Sequence, residues 1–255
     1  MRKLRFAALA AVMMSAAVSC MNEIDDFGSD VSIDGEVVFT ASVPGAETKA
    51  VLDGNKSWWQ NGDKITVHNG TKGFEFVTSL SENAQKADFS YGGTDFTATD
   101  DGVIAVYPAG LVTSADIAKK TINASVPASQ RATAGSYDKD AALAVAFSQT
   151  DKLQFRNAVA LVKFTVSVPN VKGAVSAGNN GEPVAGNVQV VLNEDNGIGG
   201  VTVLPTSVDG AEPALCTEVG LYAEGDGFLT PGATYYIAVA PTTFTKGFAV
   251  DLVVD

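Results

Sequence analysis

The sequence predicts an all-β protein of two tandem antiparallel β-sandwich domains, set behind a signal peptide and a flexible tether. Three observations predict it. Short segments of β-branched and aromatic residues alternate with polar ones, as in half-buried strands. Turn signals such as Asn61-Gly62, Asn69-Gly70 and Asp53-Gly54-Asn55 separate them. No internal repeat, heptad or long helical period interrupts the pattern, and many short strands with turns between them favour sandwiches.

Residues 1–19 have the plan of a secretory signal. Arg2, Lys3 and Arg5 give a basic start, Phe6 to Val18 is uncharged and apolar or small, and Ala17-Val18-Ser19 leads into Cys20. The run is shorter than the roughly 20 apolar residues of a membrane-spanning helix. Small residues followed at once by a cysteine resemble the lipobox of bacterial lipoproteins. That resemblance makes Cys20 the lipid-attachment residue and the first residue of the mature chain, anchored in the outer membrane. The alternative is an ordinary secretory signal with an incidental cysteine. Two or more acyl chains hold a protein stably, each buried CH₂ contributing about 0.8 kcal/mol. Residues 20–30 are acidic and aperiodic, which predicts a tether, and they resemble the acidic signal that sends some lipoproteins to the cell surface.

The formal net charge is −12, and all three basic residues of the leader are lost on cleavage, so the mature chain is more acidic still. Such a chain is repelled by nucleic acid. The chain has two cysteines. With Cys20 lipidated, Cys216 has no intramolecular partner and reads as a small buried apolar residue.

The first domain is expected over 31–169. Glu36 to Val43 reads as a strand ended by Pro44-Gly45. Ser57-Trp58-Trp59 reads as a strand turning at Asn61-Gly62 into a second, in which Ile65 and Val67 share a face and pair near Phe74 and Phe76. Val103 to Tyr107 is a continuous apolar run stopped by Pro108, the pattern of a strand buried on both faces. A brief helix is allowed at Ala115 to Lys120. Leu143, Val145 and Phe147 alternate with alanines; alanine favours helix, but the alternation reads as strand. Ala160 to Val168 is the cleanest strand, with Ala160, Val162, Phe164, Val166 and Val168 on the core face.

Pro169-Asn170 marks the expected boundary with a second domain over 170–255. There Val188, Val190 and Leu192 alternate, Val201 and Val203 follow, and Tyr235 to Ala240 and Phe248 to Val254 close the chain. This domain is much shorter than the first. It is expected to lack one or more strands and to leave an open edge or groove, either because the sequence is a fragment or because another chain fills the gap.

An ordered set of pieces is similar to the fimbrillin-like proteins. It runs from Phe39-Thr40-Ala41, Thr48-Lys49-Ala50 and Trp59 with Gly62 to Val67, through Val126-Pro127-Ala128-Ser129-Gln130 and Leu153 to Asn157 with Ala160 to Phe164. It ends at Gly181 to Gly186 and Tyr235 to Pro241. The resemblance covers roughly Val37 onward. It implies tandem sandwiches and a role as a stalk or tip subunit of type V pili, exported as a lipoprotein. In that family a protease removes the first strand and a neighbouring subunit's strand fills the groove. Carried over, it makes Lys49-Ala50 the candidate processing bond, with Lys56 a second option. The match departs from the best-known pattern in having Lys where that pattern has Arg.

The chemistry of catalytic sites is nearly empty. His68 is the single histidine, and no Gly-x-Ser-x-Gly elbow accompanies it. A zinc site needs three or four nitrogen or sulfur ligands that the chain does not supply. Asp25-Asp26, Asp100-Asp101 and Glu194-Asp195 lack the calcium-loop pattern, and no phosphate-binding glycine loop opens a helix. No cofactor is expected. Trp58 and Trp59 form the one aromatic pair able to stack on a sugar, with one ring outward and one inward by alternation. The expected function is therefore a lipid-anchored structural or adhesive subunit of fimbriae, assembling by β-strand addition with other subunits. A host or bacterial surface ligand is a further expected partner. The alternatives are a monomeric surface protein that binds glycan through Trp58 or Trp59, and a hydrolase with dispersed carboxylates.

Overall fold

The computed structural model describes residues 37–43, 58–193, 195–206 and 214–254. Among them the chain is all-β, in several largely antiparallel sheets of the sandwich class. No helix among these residues is long and apolar enough to cross a membrane.

The strands run β1 (Val37–Ser42), β2 (Lys64–His68), β3 (Gly73–Thr78), β4 (Lys86–Tyr91), β5 (Val103–Tyr107), β6 (Val112–Asp116), β7 (Thr121–Val126), β8 (Ser129–Arg131) and β9 (Ala144–Ser148). They continue as β10 (Lys152–Gln154), β11 (Arg156–Asn157), β12 (Ala160–Thr165), β13 (Val171–Gly178), β14 (Gly186–Leu192), β15 (Ile198–Val203), β16 (Glu218–Tyr222), β17 (Thr234–Val239) and β18 (Phe248–Val254).

Eight strands form the first sheet in the order β10-β1-β4-β3-β2-β5-β9-β11. Its two outermost strands, β10 and β11, are joined through Phe155 alone, which is 2% exposed. The sheet therefore bends back on itself around an aromatic core. Phe39 meets Phe76 and Phe96 edge-on at 5.3 and 5.8 Å, and Phe74 meets Phe96 at 5.0 Å. Edge-to-face contacts place a positive ring edge on a negative ring face. The β2–β3 hairpin has the expected register, with Ile65 opposite Phe76 and Val67 opposite Phe74. Its turn is held by the Asn69 side-chain oxygen, which accepts from the N–H groups of Thr71 and Lys72 and from the Thr71 hydroxyl. Gly70 there has φ +90, a conformation that costs glycine little.

β5 and β9 explain how the rest of the chain is attached. Val103 and Ala105 face the aromatic core, while Ile104 and Val106 face a second, aliphatic core. In β9, Ala144 and Ala146 face the first core and Val145 the second. The uninterrupted apolar run of β5 is thus a strand covered on both faces, as its sequence predicts.

The second core is enclosed by a sheet of order β15-β14-β7-β6, another of order β18-β13-β16-β8, and the β12–β17 pair. Here the expected boundary at Pro169 does not coincide with the pairing. β7 pairs with β14 from Val126 opposite Gly186 to Thr121 opposite Val191, and β8 runs parallel to β16. Residues 112–131 therefore belong with strands far beyond Pro169. Gln130 joins two of these groups. Its side-chain amide donates to the Ala238 carbonyl at 2.6 Å and accepts from the Ala238 N–H at 2.9 Å, so it stands in for a strand peptide between β8 and β17.

Four local expectations change. Trp58-Trp59 is not a strand, because Trp59 makes only an isolated bridge with Ala84. Ala115 to Lys120 is not a helix: β6 ends at Asp116, and a turn follows in which Lys120 N–H donates to the Ile117 carbonyl. The strand at Ala160 ends at Thr165, and its supposed core face is only partly covered, with Ala160 exposed and Val168 43% exposed. Among the described residues β12 pairs with β17 alone, so one of its edges is free, and Leu161, Val162 and Phe164 are only partly buried against the second core. Cys216 is half-buried, its thiol donating to the Glu218 carbonyl at 3.3 Å.

Candidate functional site

Two features stand out, a polar cleft beside Trp58 and the open edge at β18. The cleft begins with the two tryptophans. Trp59 is fixed inward. Its backbone exchanges hydrogen bonds with Ala84 at 2.8 and 3.1 Å, and its indole N–H donates to the Ala41 carbonyl at 3.0 Å. Its ring stands edge-on to Phe89, Tyr107 and Phe155 at 5.0, 5.0 and 5.4 Å. At 2% exposure it offers no face to a ligand, which corrects its candidacy as a glycan contact. Trp58 is turned the other way by the same bridge and is 46% exposed.

Trp58 lines a cleft of about 410 Å³ whose far wall is the connection after β8. Asp138 shapes that wall. One of its oxygens accepts from the Arg131 N–H at 2.7 Å and the other from the Asp140 N–H at 3.1 Å. Gly135 N–H donates to the Thr234 carbonyl, and Tyr137 bridges to Tyr236, which ties the wall to β17. The wall is latched to the first sheet by Lys139, whose ammonium reaches Asp63 at 2.8 Å and the Gln60 side-chain oxygen at 3.0 Å. Asp63 is 5% exposed and also accepts from the Gln60 N–H at 2.8 Å. A buried carboxylate needs such partners. Burial, and then the negative charge of Asp63, push the Tyr107 hydroxyl well above the ordinary phenol range, so it is a neutral donor to Asp63.

The cleft holds amides, two carboxylates and two cations around one exposed indole. Among the described residues no cluster of three or more His, Cys, Asp or Glu could hold a metal ion. His68 sits on β2 against Gly73 with its pKa lowered by burial, and it does not line the cleft.

The second feature is β18, which among the described residues pairs with β13 on one side only. Leu252 lies opposite Ala174 and Val250 opposite Ser176, and both partners are fully buried. Residues opposite each other across an antiparallel pair share a face, so Phe248, Val250, Leu252 and Val254 point to the core side. Yet Phe248 is 49%, Leu252 39% and Val254 60% exposed. Val250 packs against the second core, but among the described residues Phe248, Leu252 and Val254 are left largely uncovered on an edge strand.

Cys20, Lys49, Ala50 and Lys56 lie outside the described residues. Sequence reasoning found Trp58 but missed the residues of the far wall, because nothing local to Arg131 or Asp138 signals that their loop returns to face residue 58. No protein-family model, no curated protein and no solved structure matches this chain.

Proposed function

We propose that this chain is a lipid-anchored surface protein that serves as a structural or adhesive subunit of fimbriae, is not an enzyme, and assembles by β-strand addition. The observation that carries the reading is the β18 edge. An unpaired row of backbone groups beside uncovered core-side apolar residues is what an added strand completes, main-chain hydrogen bonds giving affinity and alternating side chains giving register. The sequence around Cys20 supports the anchor, and the acidic tether supports display at the cell surface. β1 supports a route to activation. It lies between β4 and β10 with Phe39 and Ala41 at 1% and 0% exposure, so its removal after a cut at Lys49-Ala50 would open an apolar groove. The test is recovery of the protein in sheared surface filaments as SDS-resistant ladders. A protein found only as an SDS-sensitive monomer at the surface would refute assembly. Loss of fatty-acid labelling in Cys20→Ala checks the anchor separately.

A further inference from the structure

We propose that the cleft beside Trp58 is a binding site for a short neutral saccharide, with the exposed indole as its stacking platform and the surrounding amides and carboxylates as hydroxyl partners.

Four observations carry this. The first is the platform. Trp58 exposes 46% of its surface while its neighbour Trp59 is locked by the Ala84 bridge and the Ala41 carbonyl. The ring therefore leaves from a fixed backbone, and little ordering is required of it on binding. An indole face is the negative side of the ring quadrupole and attracts the weakly positive C–H face of a sugar.

The second is the polar set. Gln60, Asn83 and Asn157 bring amides that both donate and accept, and Asp140 brings an acceptor. Sugar hydroxyls also do both, so amides and carboxylates satisfy them in pairs. The third is charge. Lys139 is committed to the buried Asp63, which leaves Arg131 beside Asp138 and Asp140 in the cleft, and the chain as a whole carries −12. This acidic balance offers no attraction to an anion and disfavours acidic sugars. The fourth is shape. About 410 Å³ falls within the usual roughly 300–1,000 Å³ of small-molecule sites, and the Lys139–Asp63 latch holds the wall in place without a ligand.

The site is remote in chemistry from strand addition, so the two readings fail separately. The purified full chain is titrated with galactose, mannose, N-acetylglucosamine, lactose and chitobiose, and with N-acetylneuraminic acid as the acidic control. Saturation-transfer NMR reports binding, and tryptophan emission reports Trp58. The expected result is saturable binding of at least one neutral sugar with a blue shift in emission. Affinity should fall roughly tenfold or more in Trp58→Ala, fall in Asn157→Ala, and largely persist in Trp58→Phe. Soluble sugar should also displace the protein from an immobilised glycoprotein carrying that sugar. No saturable binding to any neutral probe, equal binding by Trp58→Ala, or tighter binding of the acidic control would each overturn the proposal. Filament ladders are read in parallel, so that loss of assembly with intact sugar binding counts against the proposed function alone.

Discussion

At the scale of single residues, two side chains bind distant backbone together. Gln130 is 3% exposed and satisfies both the N–H and the carbonyl of Ala238, residues separated by 108 positions. Gln130→Ala leaves both groups buried without partners. At about 1–3 kcal/mol each, the expected loss is roughly 2–6 kcal/mol in chemical denaturation; a loss below about 1 kcal/mol would mean that water or a shifted strand replaces the amide. Glu182 performs a similar task at a loop crossing. It accepts from the Thr245 hydroxyl at 2.7 Å and from the N–H groups of Thr245 and Asn180 at 2.9 and 3.0 Å. The Thr245 hydroxyl is the largest cause, and together these donors hold the carboxyl at about 2 instead of 4.5, against the opposing effect of burial. The unfolded chain therefore takes up this proton first as pH falls. The stabilisation is complete above about pH 4.5 and is lost as pH drops through about 2. Melting temperature should fall across that window in the parent protein, and Glu182→Gln should remove this component of the slope; an unchanged slope would show that other carboxylates govern it.

Among the elements, β18 and β12 differ from β5 in what covers them. β5 has a core on each face, whereas β18 and β12 are edges. If the β18 edge receives a strand, charge placed there should block addition, as natural edges use lysine to do. Leu252→Lys with Val254→Lys alters two side chains that are 39% and 60% exposed. Monomer stability should change by less than about 1 kcal/mol, while SDS-resistant ladders should disappear; ladders that persist would move assembly to another edge. The contrast also explains what the amino-acid pattern could reveal. The apolar run of Val103 to Tyr107 announced double burial, and the alternation of Ile65, Val67, Phe74 and Phe76 announced a hairpin face. The same alternation at Ala160 to Thr165 misled, because periodicity reports which residues share a face and not whether another layer covers it. The inward turn of Trp59 and outward turn of Trp58 were legible as an alternation. Which ring went which way depended on Ala84, Ala41 and Phe155, all distant in sequence.

At the scale of the whole molecule, the two cores share a wall and exchange strands. β7 pairs with β14 and β8 with β16, β6 lies beside β7, and the alternate faces of β5 and β9 serve both cores. A fragment spanning 31–169 would keep β7 without β14 and β8 without β16. It should show poorly dispersed amide resonances and no sharp thermal transition, while the full chain unfolds cooperatively; a well-dispersed spectrum from the fragment would show that the first lobe is autonomous. Long-range pairing of this kind slows folding, since loop closure precedes its reward. The first sheet makes the point most sharply. β1 lies between β4 and β10, and the Ser42 hydroxyl donates to the Leu153 carbonyl across 111 positions. During synthesis or export, where the amino-terminal end emerges first, β1 can dock on β4 early but waits for most of the following strands before its other flank is covered. For that interval Phe39 and Ala41 sit in a half-built seam, and any passing β-strand of suitable pattern competes with β10 for the same backbone groups. The chain thus has a time-limited vulnerability that its finished structure conceals, and a chaperone able to shield one strand edge would have its greatest effect there.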